Sequence, residues 1–182
     1  MTTLEDHLPR FPKQDLFSRR VGKGHQGKVF VVSRKRNLVA KVYSSYYPNA
    51  LELAQHEYHV ADCLYRNGIS VPRPEGVFEV SFPWRLRRHP AFVMEQICGG
   101  ICMNKLCGLD NREEYNFARK LQEEEAEKAE RLGFIAEDVV DRNCIYFPRE
   151  KKVLLYDFLM WRAPDTPPDW KTPSLPLHLL WL

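Results

Sequence analysis

The chain has 182 residues, with 27 Lys and Arg against 24 Asp and Glu for a net charge of +3, so it has room for one domain or two small lobes and lacks the basic excess of a nucleic-acid partner. Hydrophobic residues make up 44% and charged residues 28%, an ordinary balance for a soluble globular protein. No stretch is long and apolar enough to span a bilayer, and residues 1–11 do not read as a secretory leader, so a soluble, cytoplasmic protein without a membrane partner is expected.

In chain order, residues 16–21, 28–33 and 38–43 are short apolar or β-branched runs. Glycines and the Arg34-Lys35-Arg36-Asn37 turn punctuate them, which predicts an antiparallel meander. Residues 48–67 read as a helix, with Pro48 in its first turn and Leu51, Ala54, Tyr58, Ala61 and Tyr65 at helical spacing, and Gly68 ends it. Residues 76–80 and 90–97 are two further predicted strands, joined by the basic segment 84–89, which reads as a solvated loop. Gly99 and Gly100 mark a break.

Beyond the break, residues 111–132 predict a highly charged helix with Glu124–Lys128 and Glu127–Arg131 pairs. Ala118, Leu121, Ala129 and Leu132 give it a thin apolar stripe, and Gly133 stops it. Residues 144–147 and 153–156 predict a hairpin, and the proline-rich tail 163–182 an extended, irregular segment. The five cysteines, Cys63, Cys98, Cys102, Cys107 and Cys144, show no paired metal-ligand spacing and read as free thiols in a reducing compartment.

Several segments carry chemistry. Gly22-Lys23-Gly24-His25-Gln26-Gly27 is a glycine-rich turn. A dinucleotide fingerprint needs a helix right after the last glycine. A Walker loop needs a hydroxyl residue where Val29 stands, and a helix too. The strand-like continuation Lys28–Val32 instead suits a strand–turn–strand flap whose amides approach phosphate oxygens, and a plain hairpin remains the alternative. Lys41 lies in the strand Val39-Ala40-Lys41-Val42, and Glu57 lies on the apolar side of the following helix. A buried lysine needs an opposite charge, and Glu57 is the candidate. Met94-Glu95-Gln96-Ile97 leads into the glycine break. Asp138, Asn143 and Asp157 bring three oxygen-bearing side chains around the predicted hairpin. Such oxygens suit Mg²⁺ and phosphoryl transfer.

The order glycine-rich hairpin, strand lysine, helix glutamate, hinge, Asp-x4-Asn, hairpin, Asp-Phe resembles the protein-kinase superfamily from Gly22 to Phe158. The resemblance implies an α+β, kinase-like fold. An N-terminal lobe over 1–97 would hold a five-stranded antiparallel sheet and one helix. A short, mostly helical C-terminal lobe would cover 98–182. It implies ATP and Mg as cofactors. Gly22, Gly24 and Gly27 would cover the phosphates, and Lys41 would bind them and pair with Glu57. Val29, Ala40 and Ile145 would sandwich adenine, Met94 would be the gatekeeper, and Glu95 and Ile97 would offer hinge hydrogen bonds. Asp138 would be the catalytic base, with Asn143 and Asp157 the metal ligands.

The sequence departs from that pattern in places. His-Arg-Asp reads Ala136-Glu137-Asp138, the usual lysine is Val140, and Asp-Phe-Gly reads Asp157-Phe158-Leu159. Only residues 160–182 follow, too few for an activation segment and the helices beyond it. The branches it most resembles are the small prokaryotic, RIO-like and truncated effector kinases. The expected function is an atypical kinase acting on Ser or Thr of a protein, itself included. The alternatives are a nucleotide-binding pseudokinase module with a protein partner and a small-molecule phosphotransferase.

Overall fold

The computed structural model describes Leu8 and residues 19–23, 27–33, 37–44, 47–81, 88–108 and 111–165. Gly24, most of the basic segment 84–89 and the tail beyond Asp165 lie outside the described residues. The chain is α+β and divides into two compact units. The first runs to Tyr58 and resumes over Glu75–Gln96; the second takes His59–Pro74 and resumes at Ile97.

The first unit holds five strands: β1 Arg19–Lys23, β2 Gly27–Ser33, β3 Leu38–Tyr43, β4 Pro74–Ser81 and β5 Arg88–Glu95. Their order is β1-β2-β3-β5-β4, the five-stranded antiparallel sheet that the sequence predicts. Residues 16–18 of the first predicted strand lie outside the described residues, and β4 begins at Pro74, the position where a strand tolerates a residue without an amide hydrogen.

Two-residue alternation divides the sheet into two faces. Val32, Leu38, Ala40, Val42, Val80, Ala91 and Val93 form an apolar cluster on one face, with Phe30 and Phe78 against it. Each valine or leucine there, fully buried, contributes about 1.5–3 kcal/mol at most. The pairs Val29↔Lys41, Val39↔Met94 and Lys41↔Phe92 put those residues on the other face.

Helix α1, Ala50–Arg66, buries Ala50, Leu53, Ala54, Glu57, Val60, Ala61 and Leu64. That stripe is rotated from the expected one, since Leu51 is 38% and Tyr65 44% exposed. The larger apolar residues Leu53, Val60 and Leu64 decide which side turns inward. Gly68 closes the helix at φ +74°, and the Ile69 amide donates to the Leu64 carbonyl at 3.1 Å. A left-handed residue there costs a glycine nothing.

The second unit holds a three-stranded sheet, β6-β7-β8, made of Ile101–Cys102, Cys144–Phe147 and Lys152–Leu155. Beside it lie the single turn α2, Met103–Leu106, and the long α3, Arg112–Arg131. Neither β6 nor α2 is legible as an element in the sequence. Asn111 caps α3 by accepting from the Glu114 amide and donating to its carboxylate, which satisfies an otherwise orphaned helix-end donor. Its buried face is Ala118, Gln122, Ala126 and Ala129. Leu132, expected in that stripe, is 42% exposed beyond the helix end. These mostly small residues let α3 pack on β8.

The Glu127–Arg131 pair forms at 3.6 Å, whereas Lys128 pairs with Glu125 rather than with Glu124. The reason is a backbone donor: Glu125 also accepts from the Ser70 amide at 2.8 Å, so its carboxylate is already held where the lysine reaches it. Gly100 is a packing requirement, because a Cβ there would lie 2.2 Å from Ile145 Cγ2. All five cysteines are free thiols. No helix among the described residues is long and apolar enough to cross a membrane.

Candidate functional site

In the first unit the candidate residues converge on the central strand. Lys41 is buried, and its Nζ lies 2.7 Å from Glu57 Oε2. The Tyr43 hydroxyl donates to the same oxygen. Alternation along β3 puts Lys41 and Tyr43 on one face, and Glu57 occupies the middle of the inward stripe of α1. A carboxylate 1% exposed carries a desolvation cost of several kcal/mol, which only a close cation and further donors offset.

Val29 faces Lys41 directly, Gly22 faces Val29, and Gly27 faces Tyr43. The two described glycines of the turn therefore border the Lys41 face. Gly27 also has no room for a side chain, since a Cβ would lie 2.6 Å from the Val42 carbonyl oxygen.

Two-residue alternation along β3 corrects one expectation. Ala40 does not share a surface with Lys41; it is fully buried in the apolar cluster on the opposite face. A residue one position from the lysine must point the other way in a strand. Val39, two positions away, lies on the Lys41 face opposite Met94. Met94 is half-buried and Glu95 exposed. The Gln96 amide donates to the Asn37 carbonyl at 2.6 Å, so strand alternation turns the main-chain groups of Glu95 away from β3. Ile97 follows, half-buried.

In the second unit, the β7–β8 hairpin organises the acidic residues. Cys144 pairs with Leu155, and the Tyr156 amide donates to the Asn143 carbonyl at 3.0 Å. Asn143 and Tyr156 therefore face each other at the open end of the hairpin, with Asp157 one residue further. Asn143 is buried, and its Nδ2 donates to the Asp138 carbonyl and to Asp138 Oδ2, each at 3.1 Å. Both amide hydrogens point at Asp138, which leaves Asn143 Oδ1 as a hard acceptor. Asp138 and Asp157 have positive φ, +61° and +65°. A left-handed non-glycine residue costs of order 1–3 kcal/mol and often marks a functional position. Ile145 is half-buried on β7, against Gly100. After Asp157, Phe158 and Leu159 are buried in a 3-10 turn, Phe158–Met160.

The structure also brings in residues that the sequence did not single out. Arg142 Nη2 lies 3.0 and 3.2 Å from the two Asp138 oxygens. The Tyr115 hydroxyl donates to Asp141 Oδ2 at 2.8 Å, and the Tyr156 hydroxyl donates to the Arg142 carbonyl. Cys102 Sγ lies 3.6 Å from that hydroxyl. Tyr43 and Arg142 were detectable, one by strand alternation and the other inside the Asp138–Asn143 segment. Tyr115 and Cys102 carry no local signal. The Asp141 hydrogen bond, then burial, raises the Tyr115 hydroxyl above its ordinary range. Burial foremost raises the Tyr156 hydroxyl, and it pushes the Cys144 thiol up to about 12.

The chain matches no protein-family model and no curated protein. Among the described residues, no group of three or more His, Cys, Asp and Glu side chains is arranged to hold a metal ion.

Proposed function

We propose that the chain is an atypical, minimal protein-kinase-like phosphotransferase that binds ATP with Mg²⁺ and acts on a Ser or Thr hydroxyl of a protein. The observation that carries this reading is the buried Lys41–Glu57 pair, at 2.7 Å between the central strand and the helix of a five-stranded antiparallel sheet. An ion pair in that position contributes little net stability, and orienting an amine toward phosphate oxygens is the use this reading gives it.

The rest of the chemistry is assigned by residue. Gly22, Gly24 and Gly27 would supply main-chain amides to phosphates. Asn143 Oδ1 and the Asp157 carboxylate are hard oxygen donors, and a small set of this kind suits Mg²⁺, which completes its shell with phosphate oxygens and water. When bound, the ion would neutralise charge on the phosphates. Asp138 would accept the proton of the attacking hydroxyl as that oxygen bonds to the γ-phosphorus and the bond to the bridging oxygen breaks, releasing ADP. Hydrogen bonds from Asn143 and Arg142 fix the direction of its carboxylate.

Transfer of label from γ-labelled ATP tests the reading. Wild type should incorporate label, and Asp138→Asn should lose it. A thermal shift with ATP and Mg²⁺ tests binding separately, with roughly 2.7 kcal/mol of stabilisation expected at a hundredfold excess over Kd. Equal label in both proteins, or no shift in wild type, refutes the reading.

One observation favours a binding module without turnover. Leu159 stands where the kinase pattern has a flexible glycine, and it is 2% exposed. A nucleotide-dependent shift without label transfer would select that reading.

A further inference from the structure

Two tyrosines grip the turn Asp141–Asn143 from outside the Asp-x4-Asn segment. That turn has one internal main-chain bond, from the Asn143 amide to the Val140 carbonyl at 2.9 Å. Tyr115, near the start of α3, holds the side chain of Asp141 at 2.8 Å. Tyr156, the residue that follows β8, holds the carbonyl of Arg142, the next residue after Asp141. The residue after that is Asn143, whose side-chain Nδ2 donates to Asp138. The direction of Asn143 Oδ1 is therefore set by a short turn whose flanks are fixed by two hydroxyl groups.

We propose that Tyr115 and Tyr156 are positioning residues for the metal- and phosphate-binding end of the site, an inference that rests on the proposed function. Neither hydroxyl would touch the nucleotide. Each acts through the turn, by holding Asn143 and Asp138 in one mutual arrangement. The hydroxyls have partners of unlike kind, a carboxylate and a carbonyl, so the two grips can be removed one at a time. Replacing tyrosine by phenylalanine keeps the ring and its packing and deletes only the grip. Such supporting contacts affect metal affinity more than fold stability when the ligand itself is intact.

The test uses the full chain and ATP with a Mg²⁺ titration. Wild type must first show the ATP-dependent thermal shift; its absence overturns the proposed function and this inference together. If wild type responds, Tyr115→Phe and Tyr156→Phe should each raise the Mg²⁺ concentration for half-maximal response by roughly tenfold. They should lower kcat with little change in KM for ATP. Asp141→Asn, which keeps an acceptor but removes its charge, should weaken the same readouts, and adding Tyr115→Phe to it should do little more, because the two residues share one bond. Asp141→Asn also reports on the grip if Tyr115→Phe folds poorly. Wild-type Mg²⁺ dependence and kcat in all these variants, with the ATP response of wild type intact, would overturn the positioning role alone. So would losses that merely track a lower melting temperature.

Discussion

Lys41 and Glu57 form a buried ion pair between β3 and α1, with Nζ 2.7 Å from Oε2 and the Tyr43 hydroxyl on the same oxygen. Removing only the lysine charge leaves a carboxylate among apolar neighbours. Lys41→Met should therefore cost about 3–5 kcal/mol. Pairing it with Glu57→Leu should recover most of that loss, since apolar replacement of a buried pair is often neutral. Neither variant should show an ATP-dependent thermal shift. Urea denaturation of wild type, single and double variants checks the first claim, and a shift retained in the double variant would refute the second.

The two described glycines of the turn differ in how tightly they are packed. A Cβ on Gly27 would meet the Val42 carbonyl oxygen at 2.6 Å, whereas one on Gly22 would meet Val29 side-chain atoms at 3.5 Å. The first neighbour is backbone and cannot move without disturbing β3. Gly27→Ala should destabilise by roughly 1–3 kcal/mol, as overpacking does. Gly22→Ala should leave stability within about 0.5 kcal/mol. Equal melting temperatures for the two variants would contradict this account of Gly27.

The sheet was legible in the sequence because its strands are short, β-branched and separated by glycines or charged turns. Both long helices were legible from their stops, Gly68 and Gly133. Their buried faces were less so. In α1, the single stripe through Leu51 and Tyr65 missed the inward set around Leu53, Val60 and Leu64, because several apolar residues sit on adjacent sides of that helix. Strand β6 and the single helical turn α2 are too short to carry a period. Among the candidate residues, Lys41 with Glu57 in one unit and Asp138 with Asn143 in the other came from local rules of charge and spacing. Tyr115 did not, because its partner Asp141 lies in another element and only tertiary structure brings them together.

Alkaline pH should weaken the protein through its buried thiol. Burial, with smaller contributions from Cys102 and Asp141, raises Cys144 from 9.0 to about 12. The unfolded chain then loses this proton more easily than the native one, so the stabilising difference is complete below pH 9.0 and is lost as pH climbs toward about 12. The loss amounts to ~1 kcal/mol one pH unit above the ordinary thiol value. Tyr156 acts in the same direction at higher pH. Urea denaturation at pH 8 and pH 10 should show a smaller decline for Cys144→Ala than for wild type. Identical declines would show that the thiol does not titrate as its burial requires.

The two faces of β3 give the sharpest test of which residues belong to the proposed nucleotide site. Ala40 is packed among Val32, Leu38, Val42, Val80, Ala91 and Val93, while Val39 shares the face of Lys41 and stands opposite Met94. Enlarging Ala40 to Leu should overpack the cluster and cost about 1–3 kcal/mol. Because that cluster lies on the far side of the sheet, the variant that remains folded should keep its affinity for ATP. Removing one methylene at Val39's partner, or reshaping Val39 itself, acts on the Lys41 face. Val39→Ala should cost about 1–2 kcal/mol of stability, since the side chain is nearly buried, and it should also weaken ATP by severalfold if adenine packs there. Calorimetric titration of ATP into both variants, alongside urea denaturation, distinguishes the cases. A loss of ATP affinity in Ala40→Leu with none in Val39→Ala would place the nucleotide on the opposite face and separate it from Lys41.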